Sequence, residues 1–130
     1  MGSWTTVFSL MLCKKKTDKE LTCVCVNMLL KANVTFLDIL KMIDGIPLKT
    51  GFTLKAEEAP WLFEKLKNGQ EASFTNMERL LSITKEGDDS KINLKKEDGT
   101  KQEIVLTKDS VKALLEHEKS ILKVMKDEEE

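Results

Sequence analysis

An α+β fold is predicted for this 130-residue chain: two strand-strand-strand(-strand)-helix repeats, forming curved antiparallel sheets with helices packed on one side. Three observations predict it. Phe52-Thr53-Leu54 runs into a helical pattern with Trp61, Leu62 and Leu66, and Ile104-Val105-Leu106 runs into another with Val111, Leu114 and Leu115. Ile104 stands 52 positions after Phe52, and the apolar positions of the two segments coincide, which points to one unit built twice. Lys91-Ile92-Asn93-Leu94-Lys95 alternates strictly and is followed by Asp98-Gly99, a strand and a hairpin turn. Finally, 41% hydrophobic residues in a chain of this length suffice for a buried core without disulfide staples.

Taken in order, Val7 to Cys13 is apolar and β-like, Lys14-Lys15-Lys16-Thr17-Asp18-Lys19 interrupts it, and Glu20 to Val26 resumes with β-branched residues. That is a hairpin with a basic turn. From Thr35 to Gly45, Phe36, Leu37, Leu40 and Ile43 fall at helical spacing, with Asn33 or Thr35 as a cap and Gly45 as a stop. A helix is predicted there, and residues 28–50 read as an insertion in the first repeat. Pro47 and Gly51 punctuate the return to a strand at Phe52. Glu57 and Glu58 suit the positive start of the next helix, Pro60 its first turn, and Asn68-Gly69 its end.

In the second repeat Arg79 to Lys85 is a strand, Glu86 to Ser90 a turn, and Gln102 to Leu106 the last strand. Thr107 caps a long helix reaching about Met125, roughly 27 Å at 1.5 Å per residue and so longer than a five- or six-residue strand. The expected organisation is one domain: repeat one over about 4–69, repeat two over about 70–126, and an acidic tail at 127–130.

Net charge is −1, but residues 1–69 hold ten Lys against seven acids, whereas residues 70–130 hold eleven Lys or Arg against fifteen. Cys13, Cys23 and Cys25 are odd in number and lack zinc-knuckle spacing, so reduced thiols and a reducing compartment, nucleus or cytoplasm, are expected. No apolar run approaches the roughly 18 residues that span a membrane, so no membrane partner is expected. His117 is the only histidine, and no nucleophile–base pair or Gly-rich phosphate loop is recognisable. The chain reads as a non-enzyme without cofactor or metal.

The strand–helix junctions, Ile104-x-Leu106-x-x-Asp109 and Phe52-x-Leu54-x-x-Glu57 with Trp61 in the helix, resemble the C-terminal domain of the transcriptional coactivator p15 (PC4) family. They are also similar to the repeats of Pur-alpha proteins and to the Whirly group. The resemblance covers about residues 74–120 well and 4–67 less well. It implies two units in one chain that bind single-stranded DNA or RNA along exposed sheet faces, in transcription or RNA handling. Basic residues would hold phosphates and aromatics would stack bases. The residues so implicated are Lys14, Lys15, Lys16, Arg79, Lys85, Lys91, Lys95 and Lys96, with Trp4 and Phe74 as stacking candidates. The alternative is a protein-interaction or dimerisation module of the same fold without nucleic-acid binding. Its expected mark is exposed Ile121, Leu122, Val124 or Met125 on the C-terminal helix, and a homodimer through that helix is compatible with both readings.

Overall fold

The computed structural model describes residues 3–12, 20–43, 46–47 and 52–129. Strands β1 (Trp4–Leu12), β2 (Glu20–Leu29) and β3 (Val34–Ile43) form an antiparallel meander. The short β4 (Ile46–Pro47) and then β5 (Phe52–Lys55) both pair with β3. Helix α1 (Ala59–Asn68) closes this first unit. The second unit repeats the plan with β6 (Ala72–Asn76), β7 (Arg79–Glu86), β8 (Asp89–Lys95) and β9 (Lys101–Leu106) in sequential antiparallel order. Helices α2 (Lys108–Glu116) and α3 (Glu118–Glu129) follow. The predicted α+β class and its two strand-then-helix units are what the molecule has.

The duplication is visible in burial. Phe52 and Ile104, Leu54 and Leu106, and Leu62 and Leu114 occupy matching positions, and all six are buried. Each such side chain contributes about 1.5–3 kcal/mol by leaving water.

Two elements differ from the sequence expectation. Residues 34–43 form β3, not a helix, and β3 pairs with β2 at every position from Glu20↔Ile43 to Leu29↔Val34. Thr35, Leu37 and Ile39 are buried on one face, while Phe36, Leu40 and Met42 lie on the other. Apolar residues on both faces of a strand leave helical spacing readable by accident. The β-branched Val34, Thr35, Ile39 and Ile43 favour the extended form. The supposed insertion therefore supplies the third strand of the first unit. The long terminal helix is also divided. His117 leaves helical geometry (φ −108°, ψ 9°), its N–H reaching Leu114 O and its own carbonyl accepting from Ile121.

Caps follow local chemistry. Thr107 Oγ1 accepts from Ser110 N–H at 3.2 Å and starts α2. Gly69 ends α1 at φ 64°, a left-handed conformation that glycine adopts without Cβ strain.

Helix packing crosses between the units, α2 touching β1 as well as β8 and β9 of its own sheet. α3, which ends the second unit, packs on β1, β2 and β3 of the first sheet. The Thr35 hydroxyl bonds Met125 O, and Thr22 Oγ1 meets Ser110 Oγ at 3.4 Å. α1, which ends the first unit, brings Trp61 flat against Phe74 of β6, ring centres 5.4 Å apart. A seam joins the sheets: Thr53 N–H of β5 donates to Gln102 Oε1 at 3.1 Å, and the Lys41 ammonium donates to Val105 O. All three helices thus lie on the core side, and the outward faces of both sheets are left to solvent or to a partner.

Candidate interaction surfaces

Strand alternation defines the outward face of the first sheet. From β1 it takes Trp4, Thr6, Ser9 and Met11; from β2, Leu21, Cys23, Cys25, Asn27 and Leu29. From β3 it takes Val34, Phe36, Asp38, Leu40 and Met42, and from β5, Thr53 and Lys55. Most are apolar. Trp4 is 56% exposed and Met11 61%. Trp4 meets Phe36 edge-to-face at 4.9 Å. A polar ladder crosses the middle of this face. Thr6 Oγ1 donates to Asn27 Oδ1 at 2.7 Å, Asn27 Nδ2 donates to Asp38, and Thr53 Oγ1 donates to the other Asp38 oxygen at 2.8 Å. Asp38 is thereby hydrogen-bonded from both sides, with no cation beside it among the described residues.

Below the ladder the face is rich in sulfur. Met11 stands opposite Cys23, and Cys23 Sγ lies 3.8 Å from Met42 Sδ. Cys23 and Cys25 are free, half-buried thiols. Burial, and next the neighbouring Cys25, push the Cys23 thiol above its ordinary value.

The outward face of the second sheet is of another kind. Ser82, Asn93 and Glu103 stand in one row, and Thr84, Lys91 and Val105 in the next. Lys91 lies 3.3 Å from Glu103 and 3.6 Å from Glu86, and these carboxylates raise its pKa, the Glu103 hydrogen bond most. Lys95 faces Leu80 on one side and Lys101 on the other.

The sequence-predicted site residues that are described do not gather at one place. Lys14, Lys15 and Lys16 lie outside the described residues. Arg79, expected on an exposed strand face, is 4% exposed and belongs to the core. Its Nε and Nη2 donate to both oxygens of buried Glu58 at 2.8 and 3.0 Å, and Nη2 also reaches Thr53 O at 3.1 Å. Burial alone would raise the Glu58 carboxyl, but the hydrogen bonds from Arg79, Lys55 N–H and Asn76 outweigh it and hold the group below its ordinary value. This pair clasps the start of α1 to β5 and to the β6–β7 hairpin. Phe74 faces inward, occupied by Trp61, and offers no free ring to a base. Lys85 is exposed and its ammonium reaches Ser90 Oγ at 3.5 Å, while Lys96 is half-buried beside the β8–β9 turn. Trp4 alone among the stacking candidates stands open.

The C-terminal helix carries no exposed apolar stripe. Ile121 and Met125 are buried, and Leu122 and Val124 pack against the core. Between α1 and α3 lies a cleft of about 340 Å³ lined by Ala56, Glu57, Pro60, Leu122, Met125 and Lys126. Among the described residues no group of three or more His, Cys, Asp or Glu gathers to hold a metal ion, and no described helix is long and apolar enough to cross a membrane. The chain matches no protein-family model and no curated protein.

Proposed function

We propose that this chain is a non-catalytic protein-interaction module that pairs with a second copy of itself through the outward face of its first sheet. The observation that carries this reading is the apolar character of that face, with Trp4 and Met11 more than half exposed, while the apolar sides of all three helices are already used inside. Depletion of charge is the compositional mark of an interface centre. Here the charged residues are Asp38, tied by Asn27 and Thr53, and Lys55 at the margin. A two-fold axis applies one patch to itself, so a single self-complementary face suffices. The area is adequate. Three strands of nine or ten residues cover about 33 Å by 14 Å and the shorter β5 adds to one edge, giving roughly 500 Å² per copy and about 1,000 Å² buried in all, the size a specific interface should clear. Sedimentation equilibrium tests it: the parent chain is expected to dimerise and the Trp4→Glu/Met11→Glu variant to remain monomeric. A monomeric parent chain at high concentration would overturn the reading.

A second reading, binding of single-stranded DNA or RNA, follows from the resemblance and draws support from Lys95 and Lys101. They face each other across β8 and β9, beside Lys96, without an ion pair among the described residues. Like charges placed opposite are unfavourable, and a phosphate between them relieves the strain. Fluorescence anisotropy with labelled 20-mers at two salt concentrations tests it. The reading requires saturable, salt-sensitive binding that is lost in Lys95→Glu/Lys101→Glu.

A further inference from the structure

We propose that Cys23, Met42, Met11 and Cys25 form a soft-metal site on the first sheet that takes Cu(I). Cys23 is its centre. Met42 reaches it from β3, with Sδ 3.8 Å from Cys23 Sγ, Met11 stands directly opposite on β1, and Cys25 lies two residues along the same face. Two adjacent strands therefore bring sulfur atoms together, and a third places Met11 at the register position opposite Cys23. Metal–sulfur bonds to zinc are about 2.3 Å, and two sulfurs held at such a distance around one tetrahedral or trigonal ion stand about 3.8–4.0 Å apart. The Cys23–Met42 separation already has that value, so little rearrangement precedes binding.

Ligand type selects the metal. Thiolate and thioether donors favour Cu(I), whereas calcium, magnesium and manganese require oxygen. Among the described residues the carboxylate on this face, Asp38 opposite Cys25, is engaged by Asn27 and Thr53. Both thiols are free and half-buried, open enough for an ion to enter and be handed on. Coordination replaces the Cys23 thiol proton by Cu(I), the proton passing to solvent. No electron is transferred.

The site needs no pairing of copies, and the test is run below the concentration at which copies associate. Cu(I) is titrated anaerobically against a chromophoric chelator, using the full chain carrying Cys13→Ser so that only the two described thiols are counted. One equivalent of Cu(I) is expected. Cys23→Ser should weaken binding by about tenfold or more, and Met42→Leu, which keeps shape and removes sulfur, by a smaller but measurable factor. Far-ultraviolet circular dichroism should show both variants folded. Parent-like affinity in Cys23→Ser or in Met42→Leu would overturn the assignment, as would failure of the parent to compete with the chelator.

Discussion

The two sheets share a topology and differ on their outward faces. Toward the helices the first sheet presents Leu, Ile, Val and Phe and the second Leu and Ile, and these are fully or almost fully buried. Away from the helices the first sheet shows Trp4, Phe36, Met11, Leu40 and a sulfur group, crossed by one polar ladder ending on Asp38. The second shows Ser82, Asn93, Thr84 and the Lys91–Glu103–Glu86 cluster, a surface suited to contact with water. Burial constrains the inner positions in both copies, because a polar group there would lose hydrogen bonds to water. The outer positions are under no such constraint, so that is where two copies of one unit can acquire different tasks. One outer face is largely apolar and the other largely polar.

Several substitutions would break or sharpen this contrast. The largest effect is expected where the two sheets are clasped. Arg79→Met leaves the Glu58 carboxylate buried and unpaired, and should cost about 3–5 kcal/mol in urea unfolding. The double variant Glu58→Leu/Arg79→Met should recover much of that loss. Acid probes the same clasp. The folded Glu58 titrates below its unfolded counterpart, near 4.5, so its contribution is complete above that pH and is lost as pH falls through the folded value. Urea midpoints measured from pH 6 downward should fall more steeply for the parent than for the double variant.

Next come the matched core positions. Leu62→Ala and Leu114→Ala should each cost about 2–5 kcal/mol. If the units are equivalent inside, the two losses agree closely, and a wide gap between them would sharpen the contrast by extending it to the core. On the outer faces the stability effects are small and the association effects are not. Trp4→Glu and Met11→Glu should each weaken pairing about tenfold or more while changing monomer stability by no more than about 0.5 kcal/mol. Leu80→Glu, the corresponding insult to the second sheet, should leave pairing unaltered. Smallest of all is Lys91→Ala. Its exposed pairs with Glu86 and Glu103 should give a thermal shift that disappears as salt is added.

The inner half of this contrast was readable in the sequence. Phe52/Ile104 and Leu62/Leu114 announce a duplicated unit because core positions must be apolar in both copies. Strict alternation at Ile92 and Leu94 places the second sheet for the same reason. The outer half was not readable, since it depends on where strands sit side by side. Thr35 to Gly45 satisfied a helical period only because both faces of β3 are apolar. In a helix over that segment Met42 has no reason to meet Cys23, and Asp38 none to meet Asn27 and Thr53. Arg79 misled for a related reason. A basic residue at a strand start reads as exposed, and its carboxylate partner lies 21 positions earlier in the chain, at Glu58. The β-branched content of residues 34–43 was the signal that could have corrected the first error. Nothing local could have corrected the second.

The packing of α3 across units sets a clock on how this chain is made. The first sheet is complete in sequence at Lys55, yet the helix that covers its inner face, α3, runs from Glu118 to Glu129. At 5–20 residues per second, a ribosome needs on the order of 4–15 s to pass from one to the other. Throughout that interval Val24, Val26, Leu37 and Ile39 face the cell without the helix that will bury them. A nascent chain in that state is a natural client for a holding chaperone. Moving the α2–α3 segment ahead of β1 by circular permutation would shorten the exposure without altering the finished fold.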